Sequence, residues 1–454
     1  MLFRSPVNIP AHVSELMDIL ECRGFEAWAV GGCVRDHALG IEPQDFDLCT
    51  SAHPQQIQSA FQGYDLVLAG LKHGTVGVVT DGGVVEITTF RAEGDYTDSR
   101  HPGWVKFVPE LKEDLMRRDF TINAMAFSPR RGWQDPFGGL EDLKNRTLRC
   151  VGDPEQRFRE DALRILRGAR FAARFALDIE ENTWRAMLST AHLIGGLARE
   201  RVFEELCKLI CYTDAPTLCK LAPILAHAIP ELGPMIGFDQ HTRHHAHDVF
   251  THTAWVVHRV SPEPVIRMAA LLHDVAKPAT FSIDDLGRGH FIGHAKVGES
   301  MADEILLRLK APTEFRETVT WLIGMHMAFY QPSRKGVRSV LSRWGEERLL
   351  MLNQLHKADL LGKDAEDISE RLAELNEVES LLRQIQEEEG RMTLKKLAVK
   401  GGDLMALGIP AGPHMGEILD RLLLNVIFEE LPNEPAPLLE RAKQYWQEIL
   451  DSSE

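Results

Sequence analysis

Residues 27–48 read AWAVGGCVRDHALGIEPQDFDL, and two features inside this stretch set the architecture of the first third of the chain. Residues 25–30 are a short apolar run that stops at Gly31-Gly32 and gives way to a helical segment. Glycine at such a turn lets backbone N–H groups approach a ligand, and the start of a helix favours an anion such as phosphate. Alone, the pattern is equally a plain strand-to-helix turn. Asp45 and Asp47 follow. Side chains at i and i+2 of a strand share a face, and two carboxylates held side by side repel unless a cation lies between them. The pair predicts a divalent metal, and Mg²⁺ suits oxygen ligands while keeping water and phosphate as its other partners. A solvated turn after Pro43 accounts for the aspartates alone, but less well for a glycine pair and a carboxylate pair together. Glu86, between Val85 and Ile87, is a third acid in an apolar strand.

Outward from this stretch, β-branched or apolar runs bounded by Gly, Asp or Pro predict strands at 46–48, 75–80 and 84–90, with a helix at 13–20. The polar stretch between Phe90 and Phe107, holding Gly94, Pro102 and Gly103, reads as a loop. From about residue 151 strand signals nearly vanish. Apolar positions 162, 163, 165, 166 and 169 give 161–175 a helical period, and 201–210 and 215–225 continue in that style. His241, His244, His245 and His247 crowd a short window, 248–360 is helical and His-rich, and 364–389 is a charged helical segment. The remainder is a small helical unit broken at Gly401-Gly402 and at 410–413. The class is α+β, with mixed α/β at the front and helices behind. The expected divisions are 1–150, 151–235, 236–360 and 361–454.

Of 454 residues, 44% are hydrophobic and 26% charged, which fits a folded protein and excludes disorder or a collagen-like repeat. The apolar stretches fall far short of the roughly 20 residues a membrane helix needs, and residues 1–10, with Pro6 and Pro10, do not read as a signal peptide. The seven cysteines form neither a zinc ribbon nor a redox pair. They read as reduced thiols, so a cytoplasmic protein without membrane attachment is expected. A net charge of −16 argues against a general nucleic-acid coat, because phosphate affinity needs local positive charge. Arg157, Arg159, Arg164, Arg167, Arg170 and Arg174 supply such a charge against Glu160 and Asp161. Asp161, Arg164, Arg167 and Arg170 recur every three residues, along one slowly drifting helix face.

Gly31-Gly32-Cys33-Val34-Arg35-Asp36 with Asp45-Phe46-Asp47 resembles the signature of the tRNA nucleotidyltransferases, bacterial and eukaryotic class of the polymerase-beta-like superfamily. The resemblance continues at Val85-Glu86-Ile87-Thr88-Thr89-Phe90-Arg91, at Arg117-Arg118-Asp119-Phe120-Thr121-Ile122-Asn123-Ala124 and at Glu160-Asp161-Ala162-Leu163-Arg164. It implies a nucleotidyltransferase head at 1–150 and a helical neck at 151–235 that binds nucleotide and RNA. The implied activity is addition of the 3′-terminal CCA to tRNA from CTP and ATP, without a nucleic-acid template. Asp45, Asp47 and Glu86 would then be catalytic, the two aspartates holding Mg²⁺. Gly31, Gly32, Arg35, Arg118, Asp119, Asn123, Asp161, Arg164, Arg167 and Arg170 would bind the nucleotide. Asp161 and Arg164 are implied to pair with the base edge. A carboxylate accepts from the exocyclic amine of CTP or ATP and is left unpaired by the carbonyl of UTP or GTP, a penalty large enough to discriminate. Residues 91–103 resemble the loop that the family uses in switching from C to A addition.

His252, the His273-Asp274 doublet and the remote Asp359 resemble the HD metal-dependent phosphohydrolases, with His294 and His326 as further ligand candidates. This implies an HD domain at 236–360 and a tRNA-binding tail at 361–454. Mixed imidazole and carboxylate ligands suit a transition metal such as Ni²⁺, Mn²⁺ or Co²⁺, and a metal-bound water could attack a phosphoester. The flanking histidines at 241–247 read as ordinary or supporting. A poly(A) polymerase of the same superfamily is the alternative, though the acidic C-terminus at 445–454 lacks the basic tail usual there. The sequence leaves the oligomeric state open.

Overall fold

In the computed structural model, helix α1 (Ala11–Cys22) buries Val13, Leu16, Met17 and Leu20, the i, i+3, i+4, i+7 spacing of one apolar face. Residues 5–96, 102–241, 247–363, 368–391, 396–427 and 430–451 are described. Strand β1 (Ala27–Val30) is buried at all four positions, as its unbroken apolar run requires. It passes through Gly31 into α2 (Gly32–Leu39), which ends at the left-handed Gly40. Strand β2 (Asp47–Thr50) leads to α3 (Pro54–Ala60). Strands β3 (Leu66–Val67), β4 (Thr75–Thr80) and β5 (Gly83–Thr89) follow. Next come β6 (Arg91–Tyr96), β7 (Pro102–Phe107), α4 (Leu111–Met116), β8 (Ala126–Ser128), β9 (Gly132–Gln134) and α5 (Gly139–Lys144).

Seven strands form one sheet in the order β3-β4-β5-β2-β1-β8-β9. Only β2 and β5 pair in parallel; the other neighbours are antiparallel. Trp28, Val30, Cys49, Phe90, Leu115, Ala124 and Ala126 belong to the core on this sheet. The expected strands at 25–30, 46–48, 75–80 and 84–90 are all present within a few residues. The expected loop at 90–107 is corrected. Its flanks pair as a separate antiparallel ribbon, with Arg91 opposite Phe107 and Tyr96 opposite Pro102; residues 97–101 fall outside the described set. Gly94 sits inside the ladder opposite Trp104, and Pro102 opens its strand, a place where proline is tolerated. Neither residue acts as the breaker it seemed.

The neck is helical but not continuous over 161–175. Helix α6 (Pro154–Glu160) is capped by Asp153, whose carboxylate accepts from Gln156 N. The chain is extended at Asp161 before α7 (Leu163–Phe175) begins. Asp161 therefore does not share a helix with Arg164, a correction to the expected four-residue ladder. The periodicity alone could not reveal the break, because Asp161 closes one helix and braces the next: its Oδ1 accepts from Leu163 N at 3.0 Å. At Gly168 a side chain would lie 2.8 Å from the Phe120 ring, so glycine lets α7 approach the 117–124 segment closely. Helices α8 (Glu181–Thr190), α9 (Arg199–Tyr212) and α10 (Ala215–Ala228) complete this part.

The chain divides into two compact units, one of Met1–Gln240 with His247–Val319, the other chiefly Thr320–Glu454. The first also holds α11 (Val249–Arg259) and α12 (Pro264–Leu272). The second contains Arg334–Trp344, Glu346–Leu361, Ser369–Arg391 and three C-terminal helices. The C-terminal three share a core of Leu404, Ile418, Leu422, Leu438, Ala442 and Tyr445. Gly401 and Gly402 open the first of these helices rather than interrupting one. Among the described residues no helix is long and apolar enough to cross a membrane.

Candidate functional site

Register places the acids. Asp47 lies opposite Val30, the residue before the Gly31 turn. Leu48 lies beside Ile87 across the parallel pair, so Asp47 and Glu86 occupy the preceding, matching positions of neighbouring strands. Asp45 stands two residues ahead of Asp47 in the lead-in to the strand rather than on it. Asp45 and Glu86 are exposed. Desolvation raises the Asp47 carboxyl above the ordinary aspartate range; Arg118 opposes the rise, and the charges of Glu86 and Asp45 add to it. The charges of Glu86 and Asp45 thus act on Asp47 at the edge of the glycine turn, and hard oxygen ligands of this kind fit Mg²⁺.

Gly31 has φ 73°, and a side chain there would stand 2.8 Å from Arg118 Nη1. The turn needs glycine both for its backbone and for the arginine packed beneath it. Arg118 is held from behind by Asp114, a fully buried residue whose Oδ2 lies 3.6 Å from Arg118 Nη2. Asp114 Oδ1 also accepts from Arg117 Nε and Nη2 and from the backbone N–H of Arg91.

A second chain of polar contacts runs through the buried Arg35, Asn123 and Asp119. Arg35 Nη1 donates to Asn123 Oδ1 at 2.6 Å, and Asn123 Nδ2 donates to Asp119 Oδ1 at 2.9 Å. Arg167 donates twice to Asp119 Oδ2, at 2.9 and 2.7 Å. Burial pushes the Asp119 carboxyl up, but the charge of Arg167 and the bonds from Asn123 and Arg167 outweigh it and leave the group at about 2. Arg35, Asn123, Asp119 and Arg167 thereby form one hydrogen-bonded wall.

Asp161 is fixed by a residue that the sequence patterns did not single out, Arg164 by residues of its own and a neighbouring motif. Arg201 Nη2 donates to Asp161 Oδ2 at 3.1 Å. Arg164 donates to Glu160 Oε2 and to the carbonyls of Arg157 and Arg117. Arg170 donates to Glu205 Oε2 at 2.7 Å in a buried pair. Arg201 and Glu205 stand four residues apart on α9, and that spacing beside Asp161 and Arg170 was their only signal. Asp114 gave none, being one acid in an ordinary charged helix.

Along the chain, His252, His273, Asp274 and His294 belong to the first compact unit, and His326 and Asp359 to the second. In the first unit His252, His273 and Asp274 are buried, with donor atoms within 4.8 Å of one another. Asp274 Oδ2 lies 3.1 Å from His273 Nε2, 3.6 Å from His252 Nε2 and 2.7 Å from Lys277 Nζ; His294 Nε2 lies 3.6 Å from Oδ1. Burial pushes the Asp274 carboxyl up, and the charges of His273, Lys277 and His252 more than reverse it, holding it well below the usual range. The donor set suits a transition metal, though Lys277 already supplies a cation to the same oxygen. In the second unit His326 and Asp359 line a cavity of about 360 Å³ with His356, Lys363 and Arg371. Lys363 Nζ meets Asp359 Oδ2 at 2.6 Å, and burial lowers His356 to about 4. His241 is exposed; His244 and His245 fall outside the described residues. All seven cysteines are free.

Comparison with known proteins adds three family matches. The poly A polymerase head domain matches residues 27–149, the probable RNA and SrmB-binding site of polymerase A residues 176–232, and the putative tRNA nucleotidyltransferase domain 2 residues 290–442. A CCA-adding enzyme of Streptococcus suis is 32% identical over 95% of this chain and 96% of its own. One from Levilactobacillus brevis is 34% identical over 93% and 95%. The crystal structure of the Bacillus stearothermophilus CCA-adding enzyme in complex with CTP superposes with a TM-score of 0.66 at 26% identity, covering 97% of this chain and 98% of that one.

Proposed function

The chain belongs to the family of CCA-adding enzymes, and we propose that it builds the 3′-terminal CCA of tRNA from CTP and ATP, in the cytoplasm and without a nucleic-acid template. One observation carries the reading: Asp47 and Glu86 hold matching positions on adjacent strands beside the Gly31 turn, Asp45 stands in the lead-in two residues before Asp47, and Arg118 packs under the turn. Asp45 and Asp47 would hold Mg²⁺, which when bound supplies charge stabilisation for the reacting phosphate. Glu86 adds to the negative field that retains the ion. Gly31 and Gly32 leave room for phosphate at the start of α2, while Arg118 and Arg35 offer positive charge on either side. Asp119 and Asn123 keep Arg35 and Arg167 in place. Asp161 and Arg164, braced by Arg201 and Glu160, read the base edge; Arg170 stiffens α7, the helix that carries Arg164. On this reading 1–150 performs the transfer, 151–235 selects the nucleotide, and 236–360 and 361–454 serve the tRNA body.

Incubation with tRNA lacking its CCA and with each labelled triphosphate tests the proposal. Two C and one A should be added, with UTP and GTP refused. Long A tracts from ATP alone would instead favour the poly(A) polymerase reading.

A second reading, metal-dependent phosphoesterase activity, is favoured by the convergence of His252, His273 and Asp274. These residues would hold Ni²⁺, Mn²⁺ or Co²⁺, with Lys277 competing for Asp274. Metal content after dialysis against each ion, compared with His273→Ala, tests binding apart from turnover. Equal metal in both proteins removes the reading.

A further inference from the structure

The six arginines of 157–174 look in sequence like one basic stripe, but folding disposes of most of it. Arg157 and Arg164 pair with Glu160, Arg159 lies 3.9 Å from Glu155, Arg167 pairs with Asp119 and Arg170 with Glu205. Arg174 differs: among the described residues it has no carboxylate within 4.0 Å, and it is exposed at the end of α7. Its guanidinium lies over two aromatic rings instead, 4.9 Å from the centroid of Phe175 and 5.5 Å from that of Tyr212. Phe175 also carries Arg35, at 4.6 Å. A ladder of alternating cations and rings therefore runs from the nucleotide wall to the surface, ending at Tyr212, 48% exposed.

A guanidinium laid flat on rings keeps its N–H edge free for phosphate, while an exposed ring offers a face to a base. Together these are the two parts of a single-strand RNA platform. Lys208, exposed one turn before Tyr212 on α9, adds charge of the same sign. Asp214, two residues beyond Tyr212, engages its carboxylate in capping α10 through Thr217 N.

We propose that Arg174 and Tyr212 form a docking platform for the single-stranded 3′ end of the RNA substrate, Arg174 taking a backbone phosphate and Tyr212 stacking a base. The proposal rests on the reading that the substrate is tRNA, and it adds the place where the strand enters. Tyr212 lies within the segment 176–232 that matches the RNA-binding model, a second ground for RNA over free nucleotide.

The test uses the full chain, tRNA lacking its CCA, and salt titrations of binding. Arg174→Ala should weaken tRNA binding several-fold and lower the log–log salt slope by about 0.7–0.9, the share of one phosphate. Tyr212→Leu should weaken binding about fivefold or more, the lower end of one stacked base, with the slope unchanged, and Tyr212→Phe should restore it. In steady state KM for tRNA should rise while KM for CTP stays put. Unchanged tRNA affinity and slope in Arg174→Ala would overturn the proposal. A rise in CTP KM alone would overturn it too, assigning Arg174 to the triphosphate. Lower melting temperature with normal tRNA affinity would reduce the ladder to a structural brace, again against it. If the wild-type protein adds nothing to tRNA, the functional reading fails; if it does while the variants bind normally, only the platform fails.

Discussion

The acids beside Gly31 and the His-Asp cluster of α11 and α12 both gather metal-binding side chains, yet their electrostatics have opposite signs. At the first, desolvation raises the Asp47 carboxyl, the charges of Glu86 and Asp45 add to the rise, and Arg118 only partly offsets it. At the second, a single carboxylate is bounded by Lys277 and by histidines, and is driven well below the usual range. The head site carries an excess of negative charge that a divalent cation would relieve. The cluster is already compensated by the protein's own ammonium group, so a metal there must displace or share an existing partner. Assembling ligands is therefore not the same as needing an ion: at the cluster Lys277 Nζ already stands 2.7 Å from the Asp274 carboxylate.

The largest expected effect breaks the comparison open from the head. Asp47→Ala should cut nucleotide addition by about a thousandfold or more, the order of losing a principal electrostatic group. It should leave the melting temperature unchanged or slightly raised, because it removes a repelled charge. Asp274→Ala should do the reverse. Lys277 would be left buried with its ammonium beside Gln240 and the Phe291 ring, both uncharged, and stranding one member of a buried pair costs about 3–5 kcal/mol, read as a drop in denaturant midpoint with nucleotide addition retained in the folded fraction. If Asp47→Ala destabilised the fold and Asp274→Ala did not, the proposed contrast would be wrong.

The same contrast shows how far the sequence could be read. The glycine turn, the strand at 84–89 and the acids all came from local signals: apolar runs, i and i+2 spacing, and a glycine pair. The β6–β7 ribbon did not, because a polar stretch with Gly94 and Pro102 carries no apolar period, and its strand geometry shows only in the pairing of Arg91–Tyr96 with Pro102–Phe107. The break at Asp161 was hidden because the helical period runs on past it. Residues that act by holding others were hardest to see. Asp114, Arg201 and Glu205 are single charges at unremarkable positions, and their roles exist only once β6, α4, α7 and α9 are assembled. Arg174 shows the converse: six arginines were visible, but only the fold reveals which one lacks a carboxylate.

Glu205 tests whether α7 needs the ion pair that ties its Arg170 to α9. Glu205→Gln keeps the shape and removes the charge facing Arg170, whose guanidinium is also laid over Phe171 at 4.4 Å. A loss of about 2–3 kcal/mol in stability is expected, somewhat below the full cost of breaking a buried pair, since the amide still accepts a hydrogen bond. Selection should loosen modestly, read as increased UTP incorporation relative to CTP. Full stability with unchanged selectivity would mean that the pair contributes to neither.

The smallest effect is a displacement in pH, and its sign follows from the carboxyl shifts. Asp47 is raised in the folded protein, so it contributes stability when protonated and loses it as pH rises through its folded pKa. Mg²⁺ binding requires the ionised form and should weaken as pH falls through that same raised value, at a higher pH than an ordinary aspartate would give. Asp274 is lowered, so its contribution is present above the ordinary aspartate pKa and is lost only as pH falls through its depressed folded value. The acid limb of Mg²⁺ affinity should therefore lie above the acid limb of unfolding at the cluster. Glu86→Gln removes one of the repelling charges and should move the Mg²⁺ limb to lower pH by a fraction of a unit; Arg118→Gln removes the opposing cation and should move it up. Each curve is normalised to its own maximum, so a general loss of affinity in either variant does not mask the direction. An unmoved limb in both variants would show that solvent removal alone sets the Asp47 shift, and that Glu86 and Arg118 do not act on it as the contrast with Asp274 requires.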